Sequence, residues 1–332
     1  MTSATSASSA TSPSSASSAS SASSEDAPTV ATLRAEQLLD GLFACTRKER
    51  QISRAGTPYL NIELRDSTGT ILARAFRDAD LLAGRFERGD IVRVHGRVSR
   101  FRDELQVEVQ SIARAEGETE PGRFLPRAYR DLDELEGFLE HLVGEVYDPG
   151  LSALLNALMR DRELRAQIRL APCSPPPALG ATRPNGSARA SAAHHAYLGG
   201  LLEHTVAVAT LALELCTLHP RLDRDLLLSA AIVHDLGRTR EFTYGAEVQR
   251  SSEGRLLGHV ELGLRVIAAH APAALDSERR LALEHCVLVH HGADASAGQR
   301  FGSPEALALY RLNALDAAVK GAFEQGMPGS AS

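Results

Sequence analysis

The sequence predicts a multidomain protein in which an N-terminal all-β barrel precedes an all-α domain. Apolar residues alternate with period two between Leu42 and Ile112, as in short strands that are buried on one face. After the segment EGETEPGRF the apolar spacing changes to that of amphipathic helices. At 332 residues the chain is long enough to form two separate cores.

The N-terminal region has an unusual composition, because the first two dozen residues are almost all serine, alanine or threonine. Residues 1–28 are therefore expected to form a disordered tail, and the absence of basic and apolar regions argues against a signal peptide. No apolar run approaches membrane-spanning length, so no membrane partner is expected. The four cysteines are scattered without a CxxC spacing, which favours reduced thiols and a cytoplasmic location.

Residues 29–118 are expected to form the barrel. The stretch YLNIEL places Leu60, Ile62 and Leu64 on one face, and DSTG follows it as a turn. DIVRVHGRV and ELQVEV repeat the alternation, and Gly96 lies where a barrel strand could bend. Several short strands separated by turns favour a small closed barrel of the OB-fold type.

The charge of the predicted barrel indicates a polyanionic partner. The net charge of the chain is −6, yet the segment from Gly41 to Ala115 contains 14 Arg or Lys against 10 Asp or Glu. OB-folds hold single-stranded RNA or DNA with cations and with aromatic rings on which bases stack. An equally open interpretation is that the rings fill the barrel and the arginines are solvated. The candidate nucleic-acid-binding residues are Tyr59, Phe76, Arg93, Arg97, Arg100 and Phe101.

The helical part of the chain divides into three predicted segments. Residues 119–170 are expected to form a helical linker region, which contains LDELEGFLEHLVGEV. Residues 171–193 are rich in proline and glycine and are expected to form a long loop. Residues 194–325 are expected to form the main helical domain, and ten of the twelve histidines fall between His194 and His291.

The clustered histidines indicate a metal centre. They lie on or beside apolar helices in GGLLEHT, VHDLGR, LLGHVELG and VHHG, and a carboxylate follows in LNALDAA. An unpartnered polar group is costly there, and a shared metal removes that cost. Five imidazoles and two carboxylates exceed the needs of one tetrahedral site, so they fit two divalent transition-metal ions. Nitrogen and oxygen donors without thiolate suit manganese, which we expect, or cobalt, iron, nickel or zinc. The candidate metal ligands are His204, His234, Asp235, His259, His290, His291 and Asp316.

These motifs, in this order, resemble the HD-domain phosphohydrolase superfamily in its binuclear form. With an N-terminal OB-fold, the chain is similar to the YhaM-type 3′→5′ exoribonucleases over roughly Leu42 to Val319, including HHAYLGGLLEHT, EGRLLGH and FGSPEA. The resemblance implies two metal sites that share Asp235 as a bridging ligand. It assigns His204, His234, Asp235 and Asp316 to one metal, and His259, His290 and His291 to the other.

The resemblance also implies residues that act on a phosphate. Arg238 stands where the family usually has a lysine after HDLG, and its guanidinium can bind phosphate with a different geometry. His195 precedes the first ligand helix and is a candidate for contact with the phosphate. The candidate catalytic residues are therefore Asp235, Arg238 and His195. The proline-rich loop before His194 looks longer than in the family, which bears on substrate access.

The expected function is that of a metal-dependent phosphodiester hydrolase. The favoured activity is a 3′→5′ exoribonuclease that acts on single-stranded RNA, with single-stranded DNA as an open alternative, and releases nucleoside 5′-monophosphates. Two other functions stay open, an HD-type nucleotidase or cyclic-nucleotide phosphodiesterase and a non-catalytic nucleic-acid-binding protein. A homo-oligomeric assembly is also left open.

Overall fold

The structure used here is a computed structural model, and it describes residues 28–53, 56–117, 120–175, 194–292 and 300–325. Nearly all of the predicted N-terminal tail and most of the predicted proline-rich loop lie outside these ranges. The described residues form an N-terminal barrel and a C-terminal helical domain. The predicted fold class is thereby confirmed.

The N-terminal domain is a closed barrel with the strand order β1-β2-β3-β5-β4. Strands β3 and β5 pair in parallel, and the other neighbours pair in antiparallel. A short helix, α1 (Ala79–Ala83), lies between β3 and β4 in the chain. The strands are β1 Leu38–Ile52, β2 Pro58–Asp66, β3 Gly69–Ala75, β4 Ile91–Phe101 and β5 Glu104–Arg114.

The apolar alternation in the sequence buries one face of these strands. All three apolar side chains of YLNIEL that were expected on one face lie in the barrel core. Asp66 shapes the DSTG turn, because its carboxylate accepts hydrogen bonds from the backbone amides of Thr68 and Gly69. A Cβ atom at Gly96 would lie 2.4 Å from the carbonyl oxygen of Glu108, so only glycine fits where the β4–β5 pairing shifts register.

The C-terminal domain consists mainly of helices, with one two-stranded hairpin formed by β6 (Phe242–Tyr244) and β7 (Val248–Arg250). Aspartates cap several of the helices through hydrogen bonds from backbone amides in the first turn. The helices are α2 Leu132–Gly144, α3 Pro149–Arg160, α4 Arg162–Leu170, α5 Gly200–Leu218, α6 Arg224–Val233, α7 Arg238–Glu241, α8 Ser252–Leu256, α9 Gly258–His270, α10 Ser277–Val289 and α11 Pro304–Gln325.

One apolar core joins all the long helices of this domain. Leu135 of α2 and Leu154 of α3 lie in the same buried cluster as Leu201 of α5 and Leu227 of α6. Helices α2–α4, which the sequence analysis set apart as a linker region, therefore pack as part of the helical domain. Their apolar faces are covered by α5, which carries His204, and by α6, whose end is followed by His234 and Asp235.

Helix α5 is long and strongly apolar. No membrane-spanning run was expected from the sequence, yet α5 alone among the described helices is long and apolar enough to cross a membrane by length and composition. It has 19 residues and a mean hydropathy of 1.5. In the fold it packs against α2, α4, α6 and α11, and it carries the buried His204.

The barrel contacts the helical domain at the β6–β7 hairpin. The Arg65 guanidinium of β2 donates hydrogen bonds to the carbonyl oxygens of Phe124, at 3.1 Å, and of Ala246, at 2.6 Å. Ala44 of β1, Phe124 and Ala246 form a small buried apolar cluster beside these bonds. The hairpin that begins directly after α7 is thus attached to the barrel.

Candidate metal centre

Four helices bring the clustered histidines to one place. Helix α5 carries His204, and His234 and Asp235 follow directly after the end of α6. Helix α9 carries His259, and His290 and His291 follow the end of α10. The donor atoms of these side chains fall into groups within 4.8 Å of one another. The structure therefore brings five of the seven candidate ligands, all of them histidines, around the sixth, Asp235.

Backbone contacts fix the orientation of two of the rings. His234 Nδ1 lies 2.8 Å from the carbonyl oxygen of Ala231, and His290 Nδ1 makes the same kind of contact with Val287. A carbonyl oxygen only accepts, so Nδ1 carries the proton in each ring. The Nε2 lone pairs of both rings are left to face the centre, as a metal ligand requires.

One group of donors lies around His204. Its Nε2 atom lies 3.2 Å from His234 Nε2, which in turn lies 3.8 Å from Asp235 Oδ2. His204 Nδ1 donates to Asp316 Oδ2 at 2.6 Å, so in the neutral ring, the form that binds a metal, Nε2 carries the lone pair. Two imidazole lone pairs that face each other repel, unless a cation lies between them. Their separation is close to the roughly 3.4 Å expected across a tetrahedral metal with bonds of about 2.1 Å.

The second group of donors lies around the other oxygen of Asp235. Asp235 Oδ1 is 3.2 Å from His259 Nε2 and 3.5 Å from His290 Nε2. His259 Nε2 and His291 Nε2 are 2.7 Å apart. Asp235 thus points one oxygen towards each group. Within the described chain, Asp235 Oδ1 and His290 Nε2 are buried atoms without a hydrogen bond, which fits a site built to hold divalent cations.

Burial and charge leave these groups in the protonation states that bind metals. Burial lowers the pKa of His234 to about 3 and moves the pKa of His259 well below its ordinary value, so both rings are neutral near pH 7. Burial alone would raise the pKa of Asp235, but the neighbouring Arg238 guanidinium outweighs it and holds the pKa of the carboxyl well below its ordinary value. His291 is the exposed member of its group, so the centre opens to solvent on that side.

The donor atoms of Asp316, His195 and His204 form a further group within 4.8 Å of one another. Asp316 Oδ2 accepts hydrogen bonds from His204 Nδ1 and, at 3.0 Å, from His195 Nε2, so Asp316 lies behind His204 and orients it. His195 is 2% exposed, and its Nδ1 lies 3.0 Å from the hydroxyl of Tyr197, which donates to Glu203. Both nitrogens of His195 are engaged, so this geometry leaves neither for a phosphate.

Arg238 is buried between two carboxylates. Its Nη1 donates to Glu241 Oε2 at 2.6 Å, and its Nε lies 3.4 Å from Asp235 Oδ1. Burial lowers the pKa of the guanidinium, but the neighbouring carboxylates, Asp235 first, raise it above its ordinary value. Arg238 therefore brings a fixed positive charge to the edge of the centre. Sequence reasoning missed Glu241, although its position three residues after Arg238 is the spacing of neighbours on one helix face.

Two more residues of the centre were missed from the sequence. Asn313 Oδ1 lies 3.1 Å from His204 Nε2, and its amide donates to the carbonyl oxygen of His290. The Cys173 thiol donates to Asp235 Oδ2 at 3.4 Å. The predicted set of nitrogen and oxygen donors therefore has a sulfur beside its central carboxylate.

The candidate nucleic-acid-binding residues of the barrel separate into two groups. Tyr59 and Phe76 stack with ring centroids 5.5 Å apart, and the Arg74 guanidinium lies 5.2 Å from the exposed ring of Phe101. Buried Ala73 and Ala75 alternate with Arg74 and Phe76, so those two side chains leave the barrel on one face. We call Tyr59, Arg74, Phe76 and Phe101 the aromatic strip.

Two arginines of β4, Arg93 and Arg97, lie elsewhere on the barrel. Arg93 and Arg97 make exposed ion pairs with Asp40 and Glu36, at 3.0 and 3.4 Å. Arg93 is paired with the start of β1, whereas Tyr59 is paired with its far end, roughly 30 Å away along the strand. Arg100 is exposed near the end of β4. Arg74, which sequence reasoning missed, lies beside the aromatic rings in the position that was expected of Arg93 and Arg97.

Comparison with known proteins agrees with this architecture. Residues 45–114 match the family of OB-fold nucleic acid binding domains, and residues 201–318 match the HD domain family. The protein therefore combines an OB-fold domain with a C-terminal HD domain, and the presence of the HD domain, together with the His/Asp groups, implies divalent-metal binding.

Curated relatives share both domains. The chain is 28% identical over 315 residues to the 3′-5′ exoribonuclease YhaM of Shouchella clausii, which covers 90% of each protein. It is 29% identical over 291 residues to the 3′-5′ exoribonuclease YhaM of Bacillus subtilis, which covers 84% of this chain and 85% of that protein. The second OB-fold domain of replication protein A from Methanococcus maripaludis is 20% identical, with a TM-score of 0.23 over 28% of this chain and 98% of that structure.

Proposed function

We propose that this protein is a metal-dependent 3′→5′ exoribonuclease that degrades single-stranded RNA to nucleoside 5′-monophosphates. The observation that carries the proposal is the position of Asp235, which directs its two oxygens towards two separate groups of imidazoles. A bridging carboxylate between two such groups is the arrangement of a two-metal hydrolase. Relatives named 3′-5′ exoribonuclease that match about 90% of the chain support the same assignment.

The residues present fit two divalent cations. His204, His234 and Asp235 would hold one, and His259, His290, His291 and Asp235 would hold the other, with manganese as the expected metal. Asp316 would orient His204 from behind. When bound, cations in such a site polarise phosphoryl oxygens and promote the ionisation of water.

The protein's own side chains would position and neutralise the scissile phosphate. The exposed side of the centre lies at His291, so the phosphate would approach from there. Arg238 is held rigidly by Glu241, and its fixed charge would favour negative charge that develops on phosphoryl oxygens. Burial of His204, His234 and His290 keeps bulk water from these donor atoms.

The aromatic strip of the barrel would hold the single strand. Stacking on exposed rings such as Phe76 and Phe101 tolerates any base, and Arg74 and Arg100 add charge for the backbone. Stacking alone distinguishes RNA from DNA weakly, so single-stranded DNA remains a second substrate to be compared directly.

The test is incubation with 5′-labelled single-stranded RNA and DNA in the presence of each of several divalent metals. We expect a ladder of shortened 5′-labelled products and release of nucleoside 5′-monophosphates, with manganese most active, and no products from Asp235→Ala. Internal cuts or shortening from the 5′ end would contradict the exonuclease assignment. Hydrolysis of mononucleotides or cyclic nucleotides without any cleavage of oligomers would instead identify a nucleotidase or cyclic-nucleotide phosphodiesterase.

A further inference from the structure

A sulfur and two imidazoles meet at the edge of the metal centre. The donor atoms of Cys173, His194 and His204 lie within 4.8 Å of one another, and all three side chains are buried. The Cys173 sulfur is 3.5 Å from His194 Nε2. Cys173 and His194 belong to neither of the ligand sets that the resemblance implies.

The backbone holds these donors in place. Cys173 donates its amide to the carbonyl oxygen of His195 at 3.0 Å. The Ser174 hydroxyl donates a hydrogen bond to the carbonyl oxygen of His194 at 2.8 Å and accepts one from the backbone amide of His194 at 3.1 Å. The amide of Leu201, in the first turn of α5, donates to the carbonyl oxygen of Ala171. The segments that carry the cysteine and the two histidines are therefore tied directly to one another.

The spacing suits a tetrahedral cation. Zinc binds sulfur at about 2.3 Å and imidazole nitrogen at about 2.1 Å, so a tetrahedral angle separates the two donors by roughly 3.6 Å. The observed distance between the Cys173 sulfur and His194 Nε2 is 3.5 Å. A thiolate favours zinc and other thiophilic cations over manganese or magnesium, whereas carboxylates favour the latter.

We propose that Cys173, His194 and His204 form a further cation subsite that takes thiophilic divalent cations such as Zn²⁺. The thiol would release its proton to solvent as the metal–sulfur bond forms. A cation in this subsite would bind His204, which is also a ligand of the proposed manganese site. It would also remove the hydrogen bond from Cys173 to Asp235. Excess zinc would therefore compete with manganese and inhibit the enzyme. This consequence rests on the proposed function, whereas the subsite itself does not.

The test uses Co²⁺ as a spectroscopic substitute for zinc. Full-length reduced protein, freed of metal by a chelator, is titrated with Co²⁺ while the near-ultraviolet absorption of cobalt–thiolate charge transfer is recorded. We expect a band in the wild-type protein that Zn²⁺ abolishes and that Cys173→Ser lacks. Cys216→Ser is the matched control, because Cys216 lies in the apolar core, and it should keep the band.

Absence of the band from the wild-type protein, or its persistence in Cys173→Ser, would overturn the subsite. If circular dichroism shows that Cys173→Ser does not fold, His194→Ala decides, because it keeps the thiol and removes one imidazole. An unchanged cobalt titration in His194→Ala would also overturn the proposal. No RNA is present in these measurements, so the cobalt titration tests the subsite and the cleavage of labelled RNA tests the proposed function. Failure of one proposal can therefore be distinguished from failure of the other.

Discussion

At the scale of single residues, Asp235 has the largest expected effect, because both groups of imidazoles depend on it. Asp235→Ala should reduce the metal content from about two ions per chain to near zero and abolish hydrolysis, since a bridging carboxylate serves both ions. Elemental analysis of the purified protein measures the metal. Glu253→Gln, which changes an exposed carboxylate of α8, should leave both readouts at the wild-type level. Full metal content in Asp235→Ala would refute the bridging role.

The Arg238–Glu241 pair predicts a cost in stability as well as in turnover. The two side chains are 7% and 1% exposed, so Arg238→Ala would remove the buried cation of Glu241 and leave it the half-exposed Arg250, whose Nε lies 3.4 Å from Glu241 Oε1. Removing one partner of such a pair costs about 3–5 kcal/mol, which urea denaturation measures. Arg265→Ala breaks an exposed pair with Glu261 and should cost less than about 1 kcal/mol. Equal costs in the two variants would mean that burial does not matter at Arg238.

Arg238→Lys separates charge from geometry. A lysine keeps the positive charge that the family usually has at this position, but it lacks the fork that reaches both Glu241 and Asp235. We expect turnover between those of the wild type and Arg238→Ala, with a smaller change in RNA affinity than in turnover. Single-turnover kinetics at saturating enzyme measure the two effects separately. A lysine variant no better than alanine would show that the fork, and not the charge, is required.

The buried imidazoles predict acid sensitivity of the metal-free protein. The pKa of His234 is about 3 in the folded state and ordinary, near 6.5, in the unfolded chain. Below pH 6.5 the unfolded chain therefore binds a proton that the folded protein does not, and stability falls as the pH falls. The loss from His234 alone is about 2 kcal/mol at pH 5, while His195, whose pKa is raised, opposes it. Thermal unfolding of chelated protein between pH 7 and pH 5 measures the slope, and His234→Gln should make it shallower, while His259 and His291, whose pKa values burial also lowers, keep part of it.

At the scale of secondary-structure elements, the contact between α7 and α9 aligns the two halves of the centre. A Cβ atom at Gly237 would lie 1.8 Å from the carbonyl oxygen of His259 and 2.5 Å from the amide nitrogen of Gly263. Gly237→Ala must therefore push the helices apart, which should cost about 1–3 kcal/mol and weaken manganese binding. Gly137→Ala in α2 meets no atom within 4 Å and should be neutral or slightly stabilising. Thermal unfolding and metal titration of both variants provide the comparison.

The sequence predicts these elements better than it predicts their contacts. The alternation of apolar residues was enough to predict β2 and β4. The order of the histidine motifs was enough to predict six side chains that the structure brings together. Cys173 could not be found in this way, because it is separated from Asp235 by 62 positions and meets it only through the fold. The pairing of Arg93 with Asp40 likewise depends on the strand register and not on any local pattern.

At the scale of the whole molecule, the barrel and the centre are expected to act on one strand of RNA. Phe101→Ala should lose about 1–3 kcal/mol of affinity for a long single strand, because one stacking surface is removed, and should leave a dinucleotide substrate unaffected. Fluorescence anisotropy with chelated protein measures binding without cleavage. Tyr129→Ala removes a fully exposed ring outside the barrel and is the control. If Phe101→Ala lost the same affinity for long and short substrates, the aromatic strip would not be part of the surface that binds the RNA.

The bond from Arg65 to the β6–β7 hairpin has a consequence for the products. That hairpin starts at Phe242, directly after Glu241, so the barrel is fastened next to Arg238 and Glu241, the pair proposed to lie beside the scissile phosphate. The aromatic strip, which would hold the RNA, and the metal centre, which would cleave it, then stay a constant distance apart. An RNA that has been shortened until it no longer spans the distance from the metal centre to the aromatic strip loses its contact with the strip. Digestion should consequently stop at a remnant of characteristic length, and Arg65→Ala should make that length heterogeneous.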